Sequence, residues 1–300
     1  MAFIKNNRLS GGTDRIFDII NTIVMILVLI IVLYPLIFII SASFSSAQAV
    51  ISGKVWLFPV EFNLLGYTGV FKNKAVLTGY ANSAFYMIAG TLVNVLITMM
   101  AAYPLARRDL RGHRFFMMFF MFTMMFSGGL IPSYLLLRDL HMVDTRLAMI
   151  LPGALAVWNM TIARTYIRNS IPTELFESAE MDGAGDIRMF WQIVIPLSAP
   201  ILAVITLFYA VEHWNSYFNA LIYLKSASLF PLQIILRNIL IINTTDYSML
   251  TDAGEMAERY ALAELLKYSL IVVASAPMLI IYPFVQKHFV KGIMIGSVKG

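Results

Sequence analysis

Two groups of residues in this 300-residue chain have types and spacing that could do chemistry. The first runs from Pro172-Thr173-Glu174 through Phe176, Glu177, Ser178 and Ala179 to Asp182, Gly183, Ala184 and Gly185. Proline suits a first helical turn, and carboxylates there complement the positive end of the helix dipole. Gly183 and Gly185 allow a left-handed exit from a short helix. Ser178, Ala179 and Ala184 are small enough to admit another protein's backbone. The chemistry is recognition: a short acidic helix, a sharp turn, then a new helix. The same pattern suits an ordinary amphipathic helix on a membrane surface. The second group is Glu212, His213, Asn215 and Asn219, with Trp214, Tyr217 and Phe218 between them. Amides and aromatic faces can bind a hydroxylated ring compound, and Trp and Tyr also gather in interfacial belts. Asn94 and Asn159 are further candidates, though a helix–helix hydrogen bond suits each of them better.

Several reaction classes lack their residues. The chain has no cysteine, which removes disulfides, thiol catalysis and Cys-ligated zinc or iron–sulfur sites. His113, His141 and His288 have no metal spacing. The acidic stretch Asp246, Asp252, Glu255 and Glu258 reads as a solvated loop or a cation site. No paired carboxylates or spaced histidines suggest a membrane-embedded enzyme, and no G-x-x-x-x-G-K-[ST] motif is present.

The elements that must position these residues are membrane helices. Hydrophobic residues make up 59% of the chain and charged ones 13%, against roughly 25% charged in soluble domains. Mean hydropathy is +0.77. A bilayer core of about 30 Å needs about 20 apolar residues in a helix. Six spans are predicted, at 17–43, 84–104, 115–137, 147–167, 190–211 and 268–290. The first has basic residues ahead of it and Ala47-Gln48-Ala49 behind, like a signal peptide, but its apolar run is too long for one and reads as a retained helix. Gly128-Gly129 and Pro132 should break the third, which is tolerated only against protein or a cavity. The Met- and Phe-rich run from Phe115 to Phe126 reads as lipid-facing or packing surface.

Of the 22 Lys and Arg, thirteen lie in the termini and in the short loops around Arg107–Arg114 and Arg164–Arg188. Concentrated there, they predict that both termini are cytoplasmic and that the long segments 44–80 and 224–264 face outward. In a membrane protein a net charge of +5 argues for such loops rather than for nucleic-acid binding.

The segment 170–200 then takes on a sharper meaning. Glu177-Ser-Ala-Glu-Met-Asp182-Gly183-Ala184, followed by Phe190, Ile193, Pro196 and Pro200, resembles the EAA loop of ABC importer permeases. Ser178 stands where alanine is usual, a small-for-small departure. Asn82-Ser83, Thr91 and Ala101 to Arg107 resemble the family's span-two signature, and Trp214-Asn215 with Tyr217-Phe218 its span-five end. Phe289 to Gly292 and Gly296 to Gly300 resemble the tail of the maltose-type second permease. Phe126 to Tyr134 and Gly53 to Pro59 resemble the lineage for complex oligosaccharides, which includes alginate, rhamnogalacturonan-fragment and lipoprotein-operon-type permeases.

This resemblance implies an all-α, six-helix type I importer permease fold with a cytoplasmic coupling helix. It divides the chain into a cytoplasmic N-terminus (1–16), a transmembrane domain (17–291) and a cytoplasmic tail (292–300) that reaches toward the ATPase interface. It implies a second permease, two ATPase subunits that hold ATP and Mg, an extracellular substrate-binding protein and a sugar, and no cofactor in this chain. Phe176, Glu177, Ser178, Ala179, Asp182, Gly183 and Ala184 would couple to the ATPase. Glu212, Trp214, Asn215, Tyr217, Asn219, Asn94 and Asn159 would line a sugar path. An ion-coupled secondary transporter is the alternative; it would show repeated halves, which the sequence lacks, and would have no use for a docking loop.

Overall fold

The computed structural model describes residues 12–245 and 263–282, with side chains from 15–239 and 263–282. The acidic stretch from Asp246 to Glu258, residues 283–290 of the sixth predicted span, the tail 292–300 and the N-terminal residues 1–11 lie outside them. No strand occurs among the described residues. They form two compact units, Met1–Val70 with Asn243–Val272 and Phe71–Ile242 with Val273–Gly300.

In the first unit, α1 (Gly12–Ser43) is apolar on every side, and its most hydrophobic stretch is wholly exposed. A helix without a polar face suits immersion in lipid. Short helices α2 (Ala47–Ile51) and α3 (Leu65–Lys72) follow. Ser46 caps α2 by accepting from Ala49 N at 3.2 Å. Ala42, Ala49 and Val55 form a small core.

The second unit is built on α4 (Lys74–Ala106), which Asn73 starts by accepting from Ala75 N at 2.9 Å. Its last turn contains Pro104, which removes a helical donor and stops the helix at Arg107. Gly90, Asn94, Thr98, Ala102 and Ala106 recur every four residues, and all five are buried. Small and polar residues at this spacing let membrane helices approach closely.

The predicted third span is two helices, α5 (His113–Met125) and α6 (Leu130–Asp139), meeting at 109° across the expected Gly128-Gly129 break. The predicted fourth span is corrected: 147–167 is not one helix. It comprises α7 (Leu147–Ile150), a non-helical stretch around Pro152-Gly153, and α8 (Val157–Ser170). The 14 residues of α8 reach only about 21 Å at about 1.5 Å per residue, short of a bilayer core. Hydropathy averaging hid the break, because its flanks are equally apolar.

The segment expected to couple is α9 (Thr173–Met181), after which α10 (Asp186–Leu197) and α11 (Ala199–Trp214) form the predicted fifth span. These two meet at 84°, after a π-helical turn at Phe190–Val194 and between Pro196 and Pro200. Then come α12 (Phe218–Tyr223), α13 (Leu232–Thr245) and α14 (Ala263–Tyr282). The core of this unit packs Met99 and Tyr103 of α4 against Met160 and Ile167 of α8 and Ile205 and Tyr209 of α11.

Candidate functional site

Helix α9 forms because Pro172 sets an extended entry and Glu174 lies in the first turn. It stops at Gly183, whose φ is +77°. Gly183 N donates to Glu180 O at 3.0 Å and Ala184 N to Ala179 O at 2.9 Å, the paired bonds of a Schellman stop. Phe176, Ala179 and Ala184 are half-buried against the core, and Phe176 lies 6.2 Å from the Tyr103 ring. Glu177, Ser178, Asp182 and Gly183 are exposed. So are Leu175 at 40% and Met181 at 89%, apolar side chains that face outward beside the acidic ones.

Sequence reasoning gave Arg107 a topological role and a place in the span-two signature, but no partner. The structure places it where the end of α4 meets both sides of the Gly183 turn. Its Nε and Nη2 donate to the two Asp109 carboxylate oxygens at 2.9 and 2.7 Å. Nη2 also donates to Glu180 Oε1 at 2.6 Å. Nη1 donates to Asp186 Oδ1 at 2.9 Å and to the Tyr103 hydroxyl at 3.4 Å. The Asp109 hydrogen bonds hold the guanidinium pKa above its ordinary value despite partial burial, and Arg107 holds the Asp109 carboxyl below its own. A cleft of about 410 Å³ opens beside this cluster, with Arg108, Arg168, Thr173 and Glu177 on its walls.

The second candidate group separates into buried and exposed residues. Asn94 is 1% exposed and donates from Nδ2 to Gly153 O at 3.0 Å and to His213 Nε2 at 3.2 Å. With Asn94 donating, His213 Nε2 accepts, which places the ring proton of the neutral imidazole on Nδ1. Gly90 lies against this ring so closely that a Cβ there would collide with it. Thr98 shares a 2.7 Å hydrogen bond with the Tyr209 hydroxyl, which also accepts from Ala156 N at 3.1 Å. Asn94 and Tyr209 thus satisfy the irregular backbone around Pro152-Gly153, which the absence of water in a bilayer demands. Farther along α4, Asn82 donates to Ser228 O and Phe230 O, and Tyr86 to Leu229 O, serving the carbonyls of the short 3-10 turn Ala227–Leu229 and its end in the same way.

Trp214 is also buried: its Nε1 donates to Ala274 O at 3.0 Å, and its ring meets Tyr80 edge-on at 5.3 Å. Asn159 is buried on α8, and Tyr217 is half-buried beside the Tyr86 cluster. Trp214, Asn94 and Asn159 therefore sit in packing positions rather than on an open wall. Glu212, Asn215 and Asn219 remain exposed, and Asn215 Nδ2 donates to Val211 O at 2.9 Å at the end of α11. Among the described residues no cluster of His, Asp or Glu could hold a metal ion.

A Schellman-stopped helix fixed to a membrane helix is a general device, and relatives decide its lineage. The chain is 40% identical, over 96% of its length and 99% of the relative's, to the polygalacturonan/rhamnogalacturonan transport system permease protein YtcP of Bacillus subtilis (strain 168). This chain belongs to the ABC sugar-importer permeases. Protein LplC of the same organism is 38% identical over 95% of this permease and 96% of its own length. The arabinooligosaccharides transport system permease protein AraQ of Halalkalibacterium halodurans is 28% identical over 96% and 99%. Among solved structures, a chain of a bacterial ABC transporter involved in import of the acidic polysaccharide alginate superposes on the permease with a TM-score of 0.85. It is 34% identical and covers 94% of this chain and 99% of its own. No family model matches the chain. The resemblance read from 170–200 and from the Phe126–Tyr134 segment is borne out, as are the all-helical fold and the placement in a membrane.

Proposed function

We propose that this permease forms, with a second, homologous permease, the path by which an oligosaccharide enters the cell, and that α9 couples the path to ATP hydrolysis in two partner ATPase subunits. The observation that carries the reading is α9 itself. It is a rigid helix with an outward face of Leu175, Met181, Glu177 and Asp182, and its other side is seated on the end of α4. Apolar side chains at 40% and 89% exposure beside carboxylates suit a protein partner with a mixed surface. ATP and Mg are held by the partners, since no phosphate-binding loop occurs in the sequence. Hydrolysis in this reading belongs to the partner subunits.

Both termini are cytoplasmic in this reading, so α9 faces the cytoplasm and the Asp144–Ser226 region faces outward, toward an extracellular substrate-binding protein. The tail 292–300 would extend to the ATPase interface. Glu212, Asn215 and Asn219 are the residues of the second group that offer an exposed polar edge at the far end of α11. A carboxylate in a membrane helix costs about 2.5–3.5 kcal/mol on insertion scales unless it faces a cavity or a protein. These three are therefore proposed to face the sugar path. The named relatives carry galacturonan, arabinose and alginate chains, which supports oligosaccharide as the class.

The test is Glu177→Lys in the assembled importer. The reading predicts a chain that inserts at the wild-type level, loses the ATPase subunit on purification and takes up no sugar. A Glu177→Lys complex that keeps its ATPase and transports at the wild-type rate would remove α9 as the docking element.

A further inference from the structure

Whatever moves α9 must move the membrane helices, and the loop between α9 and α10 is a poor lever by itself. It contains two glycines, Gly183 and Gly185, and most of its residues are exposed. The Arg107 guanidinium closes that gap. All five of its N–H donors have acceptors: two go to Asp109, one to Glu180, one to Asp186 and one to Tyr103. Glu180 is on α9, before the glycine turn, and Asp186 begins α10, after it. Tyr103 and Arg107 belong to α4 and its cap. The Tyr103 hydroxyl also reaches Asp186 Oδ1 at 3.4 Å, and its ring supports Phe176. One side chain, 17% exposed, thus ties three helices together across the glycine turn.

We propose that Arg107 is the positioning residue that transmits movement of α9 to α4 and α10, so that its loss leaves the ATPase bound but no longer coupled to transport. The inference rests on the docking role of α9 argued above. A planar guanidinium is required, because an ammonium has three donors and cannot serve carboxylates in this fan. Isolated surface ion pairs contribute little, but here one partly buried centre is shared by three carboxylates on separate elements. Its role is stiffness between elements, since each pair alone spans only one joint.

The experiment uses the complete importer in proteoliposomes and measures sugar delivered per ATP hydrolysed, together with ATPase subunits retained per permease. Arg107→Gln is expected to keep the ATPase subunits and to lower the delivery ratio about tenfold or more, within the range of typical coupling energies. Arg107→Lys should fall between it and wild type. The exchange Arg107→Glu with Glu180→Arg keeps one guanidinium among three carboxylates and should recover a large part of the ratio. A purely structural role would lower assembly and leave the ratio of the assembled fraction unchanged. A wild-type ratio in Arg107→Gln, or no recovery in the exchange, would overturn the proposal. If Arg107→Gln does not assemble, the Asp186→Asn variant decides: a lowered ratio supports the latch, and a wild-type ratio overturns it. Failure of docking itself shows separately, as ATPase subunits retained and transport intact in Glu177→Lys.

Discussion

Replacing Gly183 tests whether the end of α9 is set by backbone conformation or by space at a partner surface. Its φ of +77° is a left-handed value that costs an L-residue about 1–2 kcal/mol, with Asn and Asp the best tolerated. Among the described residues, no atom beyond its chain neighbours lies within 4 Å of a Cβ built at Gly183, so they add no steric penalty. The two bonds that close the turn, from Gly183 N and Ala184 N, contribute about 0.5–1.5 kcal/mol each. That is comparable to the penalty, so the turn persists but its competent population falls. A loss of about 1–2 kcal/mol lowers the ratio of formed to unformed turn by a factor of about 5–30; with bonds and penalty about balanced, roughly half the molecules keep the turn, and apparent affinity falls about twofold. Titrating the ATPase subunit onto the permease pair in nanodiscs should give the order wild type, Gly183→Asn, Gly183→Ala, Gly183→Val, from tightest to weakest. Gly183→Ala should be about twofold weaker than wild type, and Gly183→Val weaker still. Wild-type binding by Gly183→Val would refute the conformational argument. Equal damage from Gly183→Asn and Gly183→Val would also refute it, since the defect would then follow side-chain bulk at the partner surface.

Two further predictions follow from the packing and the charges. Gly90→Ala drives a methyl group into the His213 ring and should destabilise the permease by about 1–3 kcal/mol, read as a lower melting temperature in detergent; His213→Ala in the same chain should recover part of the loss, and an unchanged melting temperature in Gly90→Ala alone would contradict the contact. Asp144 accepts from Ser226 Oγ and from the Ser226 and Lys225 amides, and these bonds hold its pKa below the ordinary carboxylate value. A lowered folded pKa contributes stability that is fully present above about pH 4 and is lost as pH falls through the folded value. The protection of the Lys225 and Ser226 amides against hydrogen exchange, taken relative to the intrinsic rate at each pH, should therefore be high at neutral pH and fall in acid, whereas Asp144→Asn should weaken protection at neutral pH and flatten the acid dependence.

The parts of this architecture that depend on local rules were legible in the sequence. Gly183 after an acidic helix announces a Schellman stop, and Gly128-Gly129 announces the bend between α5 and α6. Hydropathy found α1, α4 and α14 because each is a continuous apolar helix. It failed at 147–167, where a window average passes over Pro152-Gly153 and ignores the broken helix. The partners of the polar residues were hidden for a different reason. Asn94 suits a sugar ligand or a helix–helix hydrogen bond in sequence, and Asn82 and Tyr209 carry no local sign of their role, yet all three bond backbone groups of distant segments. Arg107 was counted as a topology charge because its carboxylates on α9 and α10 lie 73 and 79 residues away. A single sequence shows which groups need partners, not which distant groups provide them. Arginine at the end of a span, facing a loop rich in Asp and Glu, was the available signal.

The central claim is that oligosaccharide crosses through this permease only when partner ATPase subunits grip α9. Its most direct measurement is uptake of labelled oligosaccharide into proteoliposomes that hold this chain, its second permease, the ATPase subunits and the binding protein. The account predicts uptake that requires ATP, stops when the ATPase subunits are omitted and stops again in Glu177→Lys. Uptake by the permeases alone, driven by an ion gradient without ATP, would contradict it.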